Sequence, residues 1–533
     1  MTALIKKNEL SLWLTAFITL CLCFLPLLCG FVWGNHDWLP LKNGTNLTSG
    51  LIEGRFTQFI LPFFLLSGQI LPVFSQLLGF AFYAAALVLL LTRFFEIKAN
   101  NISFALIITT IASLPFITEI LYFHFIVLSQ LSWPLIIVFS LLAAKKAYPS
   151  RHPVAYTLLS LLLLLTALGG YPASAGFFIT STCILIFIEL KKAPSIKQLF
   201  YTFTPFVISF LGAFLILIMI YAKLKAAHLT NEMYNNHTPN ILSLLTNILP
   251  TIKLSFLSLI TPQPFFSLTF KLLTAFIILS TIVIDLHQCN SLAKRLIHIS
   301  LWIFLILLLK FPALISSDTP DSDNYFSQND PAAFMVRADF YALPPLLLFC
   351  LSTFLQSKFR LIKNFSFIMT ALLLWLNINT NLSFAKTHLL GFTAENRLIE
   401  RLSSRIQNTS SFSPYVYYTI VQAGELPLRQ KYYSASPLEK YGLYTLKTPY
   451  IRHWLPHEYY NFYPPFSFVK SANAITPETI TNDMTRFLTT RIKSWPSSDS
   501  LYVDDTYAVI ALTPTGKEML TGQFNQLQRG YHD

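Results

Sequence analysis

The sequence predicts a mainly α polytopic membrane protein, a bundle of about eleven transmembrane helices with a small α/β domain outside the membrane at its C-terminal end. Three observations predict it. Apolar runs long enough to cross a bilayer recur through residues 1–385. Only 12% of residues are charged against 54% hydrophobic, about half the charge of a soluble domain. Basic residues gather in short loops between alternate runs, at Lys6/Lys7, Arg93/Lys98, Lys145/Lys146/Arg151, Lys191/Lys192/Lys197, Lys294/Arg295 and Lys358/Arg360/Lys363. That alternation is the positive-inside pattern, and it accounts for the net charge of +13 without a nucleic-acid partner.

Spans are expected near 11–33, 74–92, 102–122, 125–144, 154–169, 172–190, 202–222, 268–286, 297–315, 340–357 and 366–384. The first run is too long for the apolar part of a signal peptide, and no small-x-small site follows it. The basic loops place the N-terminus in the cytoplasm, so the loop 34–55 faces outward. An odd number of spans then places 386–533 outward as well, giving a transmembrane domain over 1–385 and an extracytoplasmic domain over 386–533. Six cysteines, at 21, 23, 29, 183, 289 and 350, lie in or beside apolar runs and read as small buried hydrophobes, neither a disulfide framework nor a metal site.

Three outer regions interrupt the helical pattern. In 34–73 the apolar stretch Phe56–Leu66 is too short to span, and Gly68 and Pro72 separate it from the next run. It reads as a helix lying in the interface. The second region, 223–267, is polar and basic. The third, 316–339, is rich in Asp, Asn and Ser; its Asp318, Asp321 and Asp323 lack the glycine turn and terminal Glu of a calcium loop and read as solvated. Beyond 385 the chain becomes polar and rich in Tyr and Pro. Glu395–Gln407 predicts an amphipathic helix, and Tyr415–Val421 and Tyr507–Leu512 predict strands.

A few residues at the outer rims carry chemistry. Asp37 follows the first span directly, within Gly34-Asn35-His36-Asp37-Trp38. A carboxylate there is costly to desolvate. It suits a general base that takes a proton from an acceptor hydroxyl, beside the plainer reading of a helix cap. Arg55 and Arg337 stand where outer loops meet apolar segments. They suit phosphate recognition by a planar fork of donors, beside snorkelling to headgroups. Glu119 is a carboxylate in an apolar stretch, with His124 close behind it; such acids face a protein interior or a polar cavity. Tyr171 sits in the turn Gly169-Gly-Tyr-Pro-Ala-Ser174, in the cavity or in an aromatic belt.

An acidic residue with Trp after the first span, then Gly-Arg opening an interfacial helix, is similar to the GT-C superfamily of membrane glycosyltransferases. Within it the chain resembles the bacterial Gtr-type glucosyltransferases that decorate lipopolysaccharide O-antigen. His36-Asp37-Trp38 resembles that family's Asp-Asp-Trp, with His36 in place of the first acid, and Gly54-Arg55 resembles its Gly-Arg. Pro115 to Glu119, the Tyr171 turn and Arg337 resemble its further landmarks. The resemblance spans roughly residues 10–385. It implies a polyprenyl-phosphate sugar donor, with glucose as the sugar, and an acceptor glycan at the outer face of the inner membrane. In that scheme Asp37 is the base, Glu119 orients the acceptor, and Arg55 and Arg337 hold the leaving phosphate, with His36, Trp38 and Tyr171 lining the substrate site. Membrane lipids are the further partners; neither metal nor cofactor is required. A transporter or flippase of lipid-linked glycans is the alternative from another class. It would place charges at mid-bilayer and show repeated halves, whereas these charges sit at the rims.

Overall fold

The computed structural model describes residues 7–30, 44–51, 54–97, 102–121, 124–192, 196–230, 243–260, 266–289, 291–311, 331–355, 360–416, 418–424, 466–470 and 481–529. It divides into two compact units, a helical one ending at Ala385 and a second one from Lys386 onward.

The helical unit begins with α1 (Lys7–Cys23) and the short α2 (Leu25–Cys29). The break between them falls just before Pro26, which lies in the first turn of α2, where a missing N–H is tolerated. Helix α3 is only Ile60–Leu66. It ends at Ser67 and Gly68, both left-handed at φ 52 and 73, and Pro72 opens α4 (Pro72–Leu89), which continues through a π-turn to Phe94. The stop signals read at Gly68 and Pro72 therefore act where expected.

The span expected at 102–122 is split into α5 (Ile102–Ala112) and α6 (Phe116–Leu121), because Pro115 cannot continue the hydrogen-bond ladder. The carbonyls freed by that break are met by side chains. Asn377 Nδ2 donates to Thr110 O at 2.9 Å, and Asn381 Nδ2 donates to Ser113 O at 2.8 Å. Thr118 Oγ1 donates to Asn381 Oδ1 at 3.1 Å. Re-satisfying a broken helix through a neighbour's amides is what a low-dielectric surrounding demands.

There follow α7 (His124–Ala147), α8 (Pro153–Gly170), a single 3-10 turn Pro172–Ser174, α9 (Ala175–Lys191) and α10 (Ile196–Ala226). Helix α10 exposes Val207, Ile208, Leu211, Leu215 and Met219 along one stripe and buries Phe206, Ser209, Ala213 and Leu217, a face made for lipid. Helix α11 (Ser243–Ile260) lies within the polar and basic region 223–267, where no span is expected from the sequence. Its polarity is inverted. Asn247, Thr251 and Ser255 are buried, while Leu249 and Phe256 are exposed. The unit closes with α12 (Leu268–His287), α13 (Leu292–Leu308), α14 (Pro331–Leu355) and the first part of α15 (Arg360–Gln407). Among the described residues, seven helices are long and apolar enough to cross a membrane: this is a mainly helical membrane protein.

The second unit holds a four-stranded sheet in the order β2-β1-β4-β3, from β1 (Tyr418–Ala423), β2 (Phe466–Lys470), β3 (Leu501–Val503) and β4 (Tyr507–Ala511), with α16 (Asn482–Arg486) and α17 (Pro514–Arg529). Strand β1 runs parallel to β2 and β4, and β3 is antiparallel to β4. Period-two alternation gives each face a core. Ile420 and Ile510 pack with Leu398, Leu402 and Ile406 of α15. Val421 and Val509 pack with Leu520 and Phe524 of α17 on the other side.

Candidate active site

The site is built around Gly54-Arg55 and the turn after α8. Gly54 has φ 72, and a Cβ there would stand 2.3 Å from the Tyr221 ring, so a side chain is excluded by conformation and by space. Arg55, next to it, places its guanidinium 5.0 Å from the centre of the Tyr171 ring, a cation–π contact. Its Nη1 donates to Gln58 Oε1 at 3.3 Å. The segment is tied to the end of α8, where Thr57 Oγ1 donates to Thr166 O at 2.7 Å and Thr57 N to Gly169 O at 3.3 Å.

Gly169 and Gly170 end α8 before the turn, and their smallness admits rings. A Cβ at Gly170 would lie 2.1 Å from the Trp133 indole. That close approach sets the height of Tyr171, which is 4% exposed and so faces the protein interior, not an aromatic belt. The Tyr171 ring stands 6.0 Å from that of Tyr341, whose hydroxyl donates to Gln130 Oε1 at 2.6 Å. Ser129, the neighbour of Gln130, bonds to the carbonyl of Gln58. Arg55, Tyr171, Tyr341, Gln130 and Gln58 thus form one connected polar and aromatic network from α7, α14 and two loops.

Sequence reasoning missed a second feature. Lys310, Asp339 and Lys271 are 0%, 6% and 5% exposed. Lys310 Nζ is 2.5 Å from Asp339 Oδ1, and Lys271 Nζ is 3.9 Å from Asp339 Oδ2. The Lys271 ammonium also lies 4.8 Å from the centre of the Phe266 ring. The two features are linked by rings. Phe266 meets Phe116 at 5.2 Å, Phe116 meets Phe340 at 5.6 Å, and Phe340 meets Tyr341 at 4.7 Å. The signal was present: three ionisable residues in or at the ends of apolar runs are a functional-site hypothesis by default.

Of the residues read from sequence, the structure brings Arg55 and Tyr171 together. The backbones of Glu119 and Arg337 lie in α6 and α14, each three residues from the Phe116–Phe340 ring contact; their side chains lie outside the described residues. Asp37, His36 and Trp38, with Asp318, Asp321 and Asp323, also lie outside them. His124 meets Gln76, Nδ1 to Nε2, at 3.3 Å. Among the described residues no group of three or more His, Cys, Asp or Glu side chains is placed to hold a metal ion.

Chemically, the network offers a planar guanidinium braced on an aromatic face, a geometry that arginine brings to oxyanions, and beside it a buried ion cluster of Lys271, Asp339 and Lys310. A family model described as glucosyl transferase GtrII matches residues 35–319, more than half of the chain. No curated protein and no solved structure matches it.

Proposed function

The chain belongs to the glucosyl transferase GtrII family, and from that premise we propose that it transfers glucose from a polyprenyl-phosphate donor to a glycan such as lipopolysaccharide O-antigen. The transfer takes place at the outer face of a bacterial inner membrane, on a GT-C-like bundle of about eleven spans in which the short helix Ile60–Leu66 lies along the interface. The N-terminus is cytoplasmic and the domain 386–533 periplasmic. Membership establishes a glycosyltransferase; the Arg55–Tyr171 contact supports the lipid-phosphate donor. A guanidinium held over an aromatic face beside the first outer loop is where the phosphate of a membrane-borne donor comes within reach.

In this reading Asp37 takes the proton of the acceptor hydroxyl as its oxygen attacks the anomeric carbon. The bond from that carbon to the phosphate oxygen breaks, and polyprenyl phosphate leaves with the electron pair. Arg55 and Arg337 meet the charge that develops on it. Glu119 orients the acceptor, while His36, Trp38 and Tyr171 enclose the sugar and hold it near the attack geometry.

The donor assignment is tested in membranes containing the wild-type chain, supplied with acceptor glycan and radiolabelled glucose on either polyprenyl phosphate or a nucleotide. Label is expected to reach the glycan from the lipid donor without nucleotide. Transfer only from the nucleotide sugar would reject the lipid-phosphate reading.

A further inference from the structure

Gln58, Gln130 and Trp133 carry buried hydrogen-bond donors that the fold leaves unused. The three residues are 1%, 1% and 0% exposed. Among the described residues neither amide Nε2 nor the indole Nε1 has a hydrogen-bond partner. Buried polar groups are almost always paired, so each exception asks for a reason. These three are not scattered. Gln130 and Trp133 stand one turn apart on α7, and Ser129, in the same turn, donates to the carbonyl of Gln58. Ser174, at the end of the turn that follows Tyr171, adds a buried hydroxyl with no partner among the described residues. The orphaned groups therefore gather at the Arg55–Tyr171 network.

The network also decides which way each donor faces. Arginine only donates, so Gln58 turns its Oε1 to Arg55 Nη1 and its Nε2 away. Gln130 Oε1 takes the Tyr341 hydroxyl at 2.6 Å, which leaves its Nε2 unused in the same manner. The Trp133 indole is held against Gly170, where a Cβ would come within 2.1 Å of it. Donors fixed in this way meet the acceptor atoms of a ligand without first losing conformational freedom.

We infer that Gln58, Gln130 and Trp133 recognise the sugar of the lipid-linked donor through its ring hydroxyls. This rests on the glucosyl transfer proposed above. The three donors are neutral, which suits hydroxyl oxygen, whereas the cation beside them, Arg55, suits phosphate. The two chemistries are joined in the protein by the Arg55–Gln58 hydrogen bond, as sugar and phosphate are joined in the donor at the anomeric carbon. Side chains at i and i+3 of a helix stand about 5–6 Å apart at Cβ, so Gln130 and Trp133 meet two hydroxyls of one hexose. The patch is closed in this structure. Of the three donors only Gln58 sits in a turn, the others being helical, so the sugar enters as that turn shifts. A site built to bond a hydroxyl discriminates against a ligand that lacks it, because its own donors then stay unpaired.

The test is binding to the full chain in nanodiscs of zwitterionic lipid, read by native mass spectrometry. The two probes are polyprenyl-phosphate glucose and bare polyprenyl phosphate. Wild type is expected to hold the glucosylated lipid more tightly. Trp133→Phe keeps an aromatic ring and removes the donor, and Gln130→Met keeps the length of the side chain and removes the amide. Each is expected to weaken binding of the glucosylated lipid about three- to tenfold, the span of one hydrogen bond, and to leave bare polyprenyl phosphate unchanged. Where one variant fails to fold, the other gives the same reading. Equal weakening for both lipids would assign these side chains to structure alone. Unchanged binding of both lipids in a folded variant would assign the donors to buried water. Either result overturns the inference, as does a wild type with no preference for the glucosylated lipid. A wild type whose preference depends on these donors yet transfers no glucose would keep the site and reject the function proposed above. Glucose transfer with a preference that neither variant moves would keep that function and reject the site.

Discussion

Arg55 shows how one residue acquires a role from its surroundings. Alone, an arginine at an outer rim is as easily a lipid anchor as a phosphate ligand. In the fold its guanidinium is braced by the Tyr171 ring at 5.0 Å and by Gln58 at 3.3 Å, so its orientation is set before any ligand arrives. Planarity and stacking are arginine properties that lysine lacks. Arg55→Lys is therefore expected to lower kcat/KM for glucosyl transfer by about tenfold, between the values of an exposed and a desolvated cation–π contact, with normal protein level. Tyr171→Phe keeps the ring and is expected to stay close to wild type, whereas Tyr171→Leu should resemble Arg55→Lys. Equal loss in the Phe and Leu variants would show that the Tyr171 hydroxyl matters and the ring face does not.

Elements are held by polar contacts at the places where helices break. The pairing of α5 and α6 with α15 rests on Asn377 and Asn381, which fill the carbonyls freed at Pro115. Because α6 carries Glu119, this repair also fixes a residue of the proposed site. Asn381→Leu leaves the Ser113 carbonyl buried and unmet, at a cost of about 1–3 kcal/mol. A lower unfolding midpoint in detergent, with Asn381→Asp no better because it lacks the donor, is the expected outcome. A Leu variant as stable as wild type would mean that the broken turn finds another partner. The same principle explains α11, whose polar stripe of Asn247, Thr251 and Ser255 is turned inward. Read as a soluble loop, that stretch is polar; read as a helix with its apolar face outward, it is not.

At the scale of the whole molecule, helices were legible wherever an unbroken apolar run carried the signal, as in α4, α7, α8 and α10. Break residues at Gly68 and Pro72 placed two boundaries, whereas the break at Pro115 divides a run expected as one span. The Lys271–Asp339–Lys310 cluster was hidden because each charge sits singly in apolar sequence, and only tertiary packing brings the three together. The Arg55–Tyr171 contact was half visible, each residue marked but their pairing unmarked, since neither spacing nor periodicity links loops so far apart. The proposed orientation rests on the basic loops and is open to direct test. Cysteines introduced at Ser322 and Ser195 should react differently with an impermeant thiol reagent in cells with a permeabilised outer membrane, Ser322 modified and Ser195 protected. The reverse pattern would invert the topology and move every proposed site residue to the wrong face.

The central claim is that Asp37 is the base of a glucosyl transfer at that outer face. The most direct measurement is transfer of radiolabelled glucose from polyprenyl phosphate to acceptor glycan in membranes containing wild type or Asp37→Asn at matched protein level. The change keeps the shape of the side chain and removes the proton acceptor. The account predicts a loss of about a hundredfold or more, the contribution of a positioned general base. Full activity in Asp37→Asn would contradict it, and would pass the search for the base to Glu119 and His36.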